Sequence, residues 1–250
     1  MVDVNSEFYD RAFEELASHD HGSLGRRYVA YLRFKNISNY ILKGNFERYL
    51  DIGCGTGQYC QLFSRIFDEV FGSDISEESI FKAQKNRDKG IKFMKQDITR
   101  LTYESDFFSV ITSINTIEHL NNPEIAVNEL IRVTKPGGQI FIMVPNKGSY
   151  LIRVLEKFFK KHLIKGYFLK SSDKSDSHPI HIDYTRHSFE KIINNSNAKR
   201  YKFLVDSNFF PRFLRHYSLH SKELRVLEKW VKYLPFISKD VSSILVMITK

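Results

Sequence analysis

Residues 48–57, Arg48-Tyr49-Leu50-Asp51-Ile52-Gly53-Cys54-Gly55-Thr56-Gly57, decide the fold. Arg48–Gly53 is a short apolar run closing on glycine, which reads as a β-strand, and Tyr59–Phe67 carries the spacing of a helix. Three glycines between them let the backbone turn tightly and approach a ligand, while a helix start leaves amide donors free. Strand-to-helix turns also use glycine for purely structural reasons. The spacing here is G-x-G-x-G, not the G-x-G-x-x-G of a dinucleotide site. A ligand without a pyrophosphate is expected.

The same alternation extends outward from this stretch. Residues 26–43 read as a helix stopped by Gly44; Glu69–Ile75, Ile91–Ile98, Phe107–Asn115 and Gln139–Pro145 read as strands. Ser76 caps a helix running to about Asn86, with Glu77 and Glu78 in its first turn. Pro123–Thr134 reads as a helix stopped by Pro136-Gly137-Gly138. Such a run of βα units predicts a doubly wound α/β sheet with helices on both faces. After Asn146 the rhythm breaks. Leu151–Leu163 is amphipathic, Gly166–Pro179 a polar loop, Ser188–Asn195 a short helix capped by Ser188, Tyr201–Phe209 a strand, Ser221–Leu234 a helix and Val241–Thr249 a last strand. The expected fold is therefore a Rossmann-like, seven-stranded, mostly parallel sheet with a C-terminal antiparallel hairpin and a helical lid inserted after strand five. One domain over 1–250 is expected: N-terminal helices to 45, a ligand-binding core over 46–146, a lid over 147–187 and the end of the sheet over 188–250.

Composition narrows the class. With 42% hydrophobic and 27% charged residues in 250, the chain can build a full core and is neither disordered nor fibrous. No apolar run approaches the roughly 18 residues of a membrane span. The start, MVDVNSEFYD, is acidic where a signal peptide is basic, so a soluble, cytoplasmic protein is expected. Two cysteines, Cys54 and Cys60, are too few for a disulfide framework or a zinc site. Charge is uneven: residues 1–146 hold 17 Lys and Arg against 20 Asp and Glu, whereas 147–250 hold 21 against 9. Either that surface is merely solvated, or it meets an anionic partner.

Two acids follow the glycines. Asp74 closes the second strand at about the offset where a carboxylate meets ribose hydroxyls. Asp97, in Gln96-Asp97-Ile98, is placed to reach a base amine while Ile98 packs against the ring. DIGCGTG, then FGSDIS, QDI, SVITSINTIEHL and TKPGGQIFIMVPN resemble the class I S-adenosylmethionine-dependent methyltransferases, type 11 in particular, from Tyr49 to Asn146.

The resemblance implies S-adenosylmethionine as cofactor and S-adenosylhomocysteine as product. It implies that Gly53, Cys54 and Gly55 lie along the methionine moiety and that Asp51 helps hold its amino group. Asp74 would take the ribose, Ile75 would pack on the adenine, Asp97 and Ile98 would meet its edge and face, and Asn115 would border the sulfonium. Cys54 reads otherwise as a small filler in the loop.

His119, in Ile117-Glu118-His119-Leu120, is the candidate base; the alternative is a solvent-facing helix start. A weaker resemblance to the ubiquinone-pathway O-methyltransferases associates a carboxylate, a Glu and this His with a divalent metal. Here the first position is Asn115, two such ligands hold Mg²⁺ poorly, and no metal is expected. That subfamily also implies a membrane contact for the basic segment 151–165, whose other reading is a lid over the site. His178, His181 and His187 lack a fourth zinc ligand. His181 or Tyr184 is expected to line the acceptor pocket instead.

Three function classes stand. The first is methyl transfer to an oxygen of a small, hydrophobic or lipid-linked acceptor. The second is methylation of RNA or another macromolecule, supported by the basic C-terminal part with Phe209, Phe210, Phe213 and Tyr217; no N-P-P-Y motif follows strand four, so nucleic acid is the weaker reading. The third is a non-catalytic binding protein, which intact cofactor motifs oppose.

Overall fold

Phe108–Ile114 is buried at all seven positions, as a strand covered by helices on both sides must be. The computed structural model describes residues 24–41, 47–85, 90–146, 181–204 and 243–250. In it this strand, β4, is the middle one of seven. On one side lie β1 (Arg48–Ile52), β2 (Glu69–Asp74) and β3 (Lys92–Lys95). On the other lie β5 (Thr134–Pro145), β7 (Ser243–Thr249) and β6 (Arg200–Leu204). The order is β3-β2-β1-β4-β5-β7-β6. The first five strands pair in parallel, and β7 runs antiparallel to both β5 and β6. The mostly parallel sheet with its antiparallel C-terminal hairpin is thus the architecture expected.

Alternation along the strands feeds two cores, because successive side chains point to opposite faces. On one face Tyr49, Val110, Phe141, Met143 and Leu245 pack with α1 (Leu24–Ile41), α2 (Gln58–Phe63) and α3 (Glu77–Lys85). On the other, Leu50, Ile52, Ile111, Ile140, Ile142 and Val246 pack with α4 (Pro123–Val133) and α5 (Arg186–Asn194). α4 buries Ala126, Val127, Leu130 and Val133, one stripe of a 3.6-residue period. Truncating a core residue such as Leu130 to Ala would cost about 2–5 kcal/mol.

Several boundaries differ from the sequence reading. α2 stops at Phe63 rather than Phe67, because Ser64–Phe67 closes as a turn, with Ile66 N donating to Phe63 O. β3 ends at Lys95: Asp97 Oδ1 accepts from Thr99 N, and that local turn ends the ladder before Ile98. α4 ends at Val133, one residue from the expected Thr134, but β5 begins at Thr134 rather than Gln139 and runs through Pro136-Gly137-Gly138. Thr134 pairs with Phe108, the register then shifts, and Gly137 at φ +77 lies within that irregular stretch. α5 is capped by Thr185, not Ser188: Thr185 Oγ1 accepts from Ser188 N while Ser188 Oγ accepts from Thr185 N.

Leu151–Leu163, the membrane or lid segment 151–165, Gly166–Pro179, Ser221–Leu234 and Phe209–Tyr217 lie outside the described residues. Among the described residues no helix is long and apolar enough to cross a membrane.

Candidate functional site

The strand order reverses between β1 and β4, and their carboxyl ends open the crevice where α/β sheets bind ligands. The glycine turn after β1 is tied to the end of β2. Gly53 N and Cys54 N donate to Ser73 O at 2.7 and 3.0 Å. Gly55 N donates to Asp74 Oδ2 at 2.9 Å, and Ser76 N donates to Asp74 Oδ1 at 2.8 Å. Ser76 Oγ accepts from Ser79 N, so Ser76 caps α3 as expected. Each carboxylate oxygen of Asp74 accepts one bond here and retains acceptor capacity.

Two glycines in this turn are obligatory for different reasons. Gly53 has φ +73, and a Cβ there would run into the Thr116 side chain from the β4 end. Gly55 has φ +53, and a Cβ there would meet nothing within 4 Å. The first glycine permits close packing of two loops; the second faces open space, with its N–H bonded to Asp74. Cys54 is 7% exposed and belongs to the core beside α2. Its hydrogen bond with Cys60 pulls its pKa down, but burial together with the charges of Asp51 and Asp74 lifts the thiol above its ordinary value. It is a packed thiol, not a reactive one.

Asp51 is 1% exposed near the carboxyl end of β1. Its Oδ1 accepts from Thr112 Oγ1 at 2.7 Å, the residue opposite it in register on β4. Its Oδ2 is buried with no hydrogen-bond partner. Burial lifts the carboxyl to about 7, the Thr112 bond opposes that rise, and the charge of Asp74 adds to it.

On the β2–β3 side, Ile75 is 63% exposed immediately after Asp74. Asp97 is exposed, with Oδ1 bonded to Thr99 N and Thr99 Oγ1. Ile98 is buried in the core with Leu101 and Phe71. Tyr103, which the sequence did not single out, shares a 2.8 Å bond with Ser73 and fixes the loop after β3 against β2.

The β4–β5 side is assembled differently. Asn115, exposed at φ +55, turns the chain out of β4, and its N donates to Met143 O. Ile117–His119 then forms one 3-10 turn, with Glu118 1% exposed and His119 half-buried. Residues 181–184 return to this edge: Ile182 N donates to Glu118 O at 2.8 Å, and Tyr184 bridges to Asn146 at the end of β5. The His119 and His181 rings meet edge-on, with centroids 5.3 Å apart. His181 Nδ1 lies 3.8 Å from Asp183 Oδ1. Tyr184 is 3% exposed with its hydroxyl unbonded; burial, then the charges of Glu118 and Glu124, push it up to about 12. Among the described residues no three His, Cys, Asp or Glu side chains gather in a way that could hold a metal ion.

Sequence reasoning missed Thr112, Tyr49 and Thr116. Hydroxyl residues inside the apolar strand Val110-Ile111-Thr112-Ser113 were the only visible signal.

A family model described as a methyltransferase domain matches residues 50–142. An uncharacterized protein of Methanocaldococcus jannaschii is 31% identical over 167 residues, 67% of this chain and 71% of that protein. Residues 50–142 thus belong to the methyltransferase-domain family. The ubiquinone biosynthesis O-methyltransferase of Coxiella burnetii is 31% identical over 130 residues, 50% of this chain and 55% of that enzyme. The chain thus spans about half the length of the first curated relatives it matches. A crystal structure of a SAM-dependent methyltransferase from Archaeoglobus fulgidus shares the fold, with TM-score 0.57 and 17% identity over 88% of this chain and 94% of that one.

Proposed function

We propose that this chain binds S-adenosylmethionine along the carboxyl ends of β1 to β4 and transfers its methyl group to an oxygen of a small hydrophobic or lipid-linked acceptor. The observation that carries the reading is the bond from Gly55 N to Asp74 Oδ2 beside the open side of Gly55. It holds a carboxylate with spare acceptor capacity beside open space at the backbone turn, which suits a ribose diol. The buried, unbonded Oδ2 of Asp51 suits an ammonium group, as the methionine moiety carries. Ile75, exposed next to Asp74, offers an apolar surface for adenine, with Asp97 and Ile98 on its other side. Gly53, Cys54 and Asn115 complete the edge along the methionine and sulfonium.

When bound, the sulfonium supplies a methyl group on an excellent leaving group. The chain then has to align the acceptor in line and take up its proton. His119 is assigned as the base, with the His181 ring set edge-on against it. His181 and Tyr184 line the acceptor side. The printed names of the ubiquinone O-methyltransferase relatives favour oxygen as the atom methylated. For the basic segment 151–165 two readings accompany a hydrophobic acceptor, a lid over the site or a contact with an anionic membrane.

The test is a metabolite screen by mass spectrometry, with and without the cofactor. A product heavier by one methylene, formed with S-adenosylhomocysteine and abolished in His119→Ala, is expected. Cofactor turnover on RNA alone would replace the small acceptor with a macromolecular one.

A further inference from the structure

Tyr49, Thr112 and Asp51 form a buried hydrogen-bonded row across β1 and β4. All three side chains are at most 1% exposed. Thr112 has a single hydroxyl hydrogen, and it is donated to Asp51 Oδ1. The bond between Tyr49 and Thr112 therefore takes its hydrogen from Tyr49. The row has one polarity: Tyr49 donates to Thr112, and Thr112 donates to Asp51.

We propose that Tyr49 and Thr112 are positioning residues, a relay that commits one oxygen of Asp51 as an acceptor and keeps the other for the cofactor's ammonium group, so that cofactor binding is gated by a proton on Asp51. This inference rests on the cofactor reading above. Because Oδ1 accepts from Thr112, a proton taken up by Asp51 resides on Oδ2, the oxygen without a partner. Ammonium and proton compete for the same atom, and each excludes the other.

The groups facing Asp51 set where that competition falls. They are Tyr49 on its own strand, Thr112 on β4, Cys54 and Cys60 from the turn and α2, and Asp74 from β2. None of these is a cation. Burial and the Asp74 charge raise Asp51 to about 7, against the pull of the Thr112 bond. Below that pH Asp51 is neutral and gives an ammonium no counter-charge. Above it, Asp51 is a carboxylate. Cofactor affinity should rise by about tenfold per pH unit below the midpoint and level off above it. It should decline again only at higher pH, once the α-amino group of the ligand itself loses its proton.

The test is calorimetric titration of S-adenosylhomocysteine between pH 5.5 and 8, in buffers of different ionisation enthalpy. The wild type should release a proton on binding at pH 6, and Asp51→Asn should bind weakly with a flat profile. Thr112→Val removes the donor to a charged acceptor and should move the midpoint up by about one to two pH units. Thr112→Ser should restore it, and Tyr49→Phe should move it up by less. A purely structural role for Thr112 would lower stability and leave the midpoint in place. Thr112→Val with an unmoved midpoint beside a flat Asp51→Asn overturns the relay while leaving the cofactor site standing. If Thr112→Val does not fold, Tyr49→Phe decides, with an unmoved midpoint as the contrary result. Failure of the wild type to bind at any pH overturns the cofactor reading, and the relay with it.

Discussion

The two halves of the carboxyl edge are built on different principles. At β1–β2 the site is backbone: a glycine turn locked onto Asp74 and Ser73 by amide hydrogen bonds. At β4–β5 it is side chain, with His119, His181, Asp183 and Tyr184 brought together from segments far apart in sequence. One backbone bond, Ile182 N to Glu118 O, and one bridge join those segments. A shared cofactor needs a fixed cradle, whereas an acceptor pocket can change with the residues that line it. The difference teaches where identity at the family level ends and acceptor specificity begins.

Mutations in one half should leave the other half's measurement untouched. The largest effect is expected from His119→Ala, with a fall in kcat of about 10²–10⁴-fold from loss of a general base and little change in cofactor affinity. Equal loss of cofactor binding would break the division. Gly53→Ala combines a left-handed backbone, about 1–2 kcal/mol, with overpacking against Thr116, about 1–3 kcal/mol. Chemical denaturation should show the loss, and cofactor binding should fall with it. Asp74→Ala should weaken the cofactor by about 1.5–3 kcal/mol, roughly tenfold or more, without a pH-rate change at His119. Thr185→Ala removes the cap of α5 and should cost about 1 kcal/mol of stability, with acceptor KM rising and cofactor affinity constant.

A pH experiment sharpens the contrast further. Asp51 is raised from 3.8 to about 7 in the folded chain, so between those values the native state holds a proton that the unfolded state has lost. Stability of the cofactor-free protein should therefore fall as pH rises from 4 to 7. Saturating cofactor should flatten the slope, and Asp51→Asn should lack it. Thermal melts across that range would show whether it is so.

The turn and the acid assigned to the cofactor could be singled out in the sequence because they are contiguous and made of motifs. Gly53, Gly55 and Asp74 stand within one βαβ unit; a Cβ at Gly53 would run into Thr116, and Gly55 holds a left-handed backbone that favours glycine. The mostly parallel seven-stranded sheet and its antiparallel hairpin were legible for the same reason, since period-2 runs separated by helices leave few topologies. Contacts that depend on register were not. Thr112 faces Asp51 only because β1 and β4 pair with Asp51 opposite Thr112. His119 meets His181 only because 181–184 folds back to β4 and β5. The cap of α5 failed as a reading because Thr185 and Ser188 both carry hydroxyls, and the reciprocal box assigns Ser188 to the third helical position. The helix before Pro136-Gly137-Gly138 ends as read, but β5 starts at Thr134 rather than Gln139, because a shifted strand register carries it through the triplet.

The account stands on a preformed cofactor cradle held by Asp74, and one titration addresses that directly. Isothermal calorimetry of S-adenosylmethionine into the wild type, Asp74→Ala and His119→Ala should give one site per chain, roughly tenfold or weaker binding in the Asp74 variant, and wild-type affinity in the His119 variant. Equal affinity in wild type and Asp74→Ala, or no binding by the wild type, would contradict it.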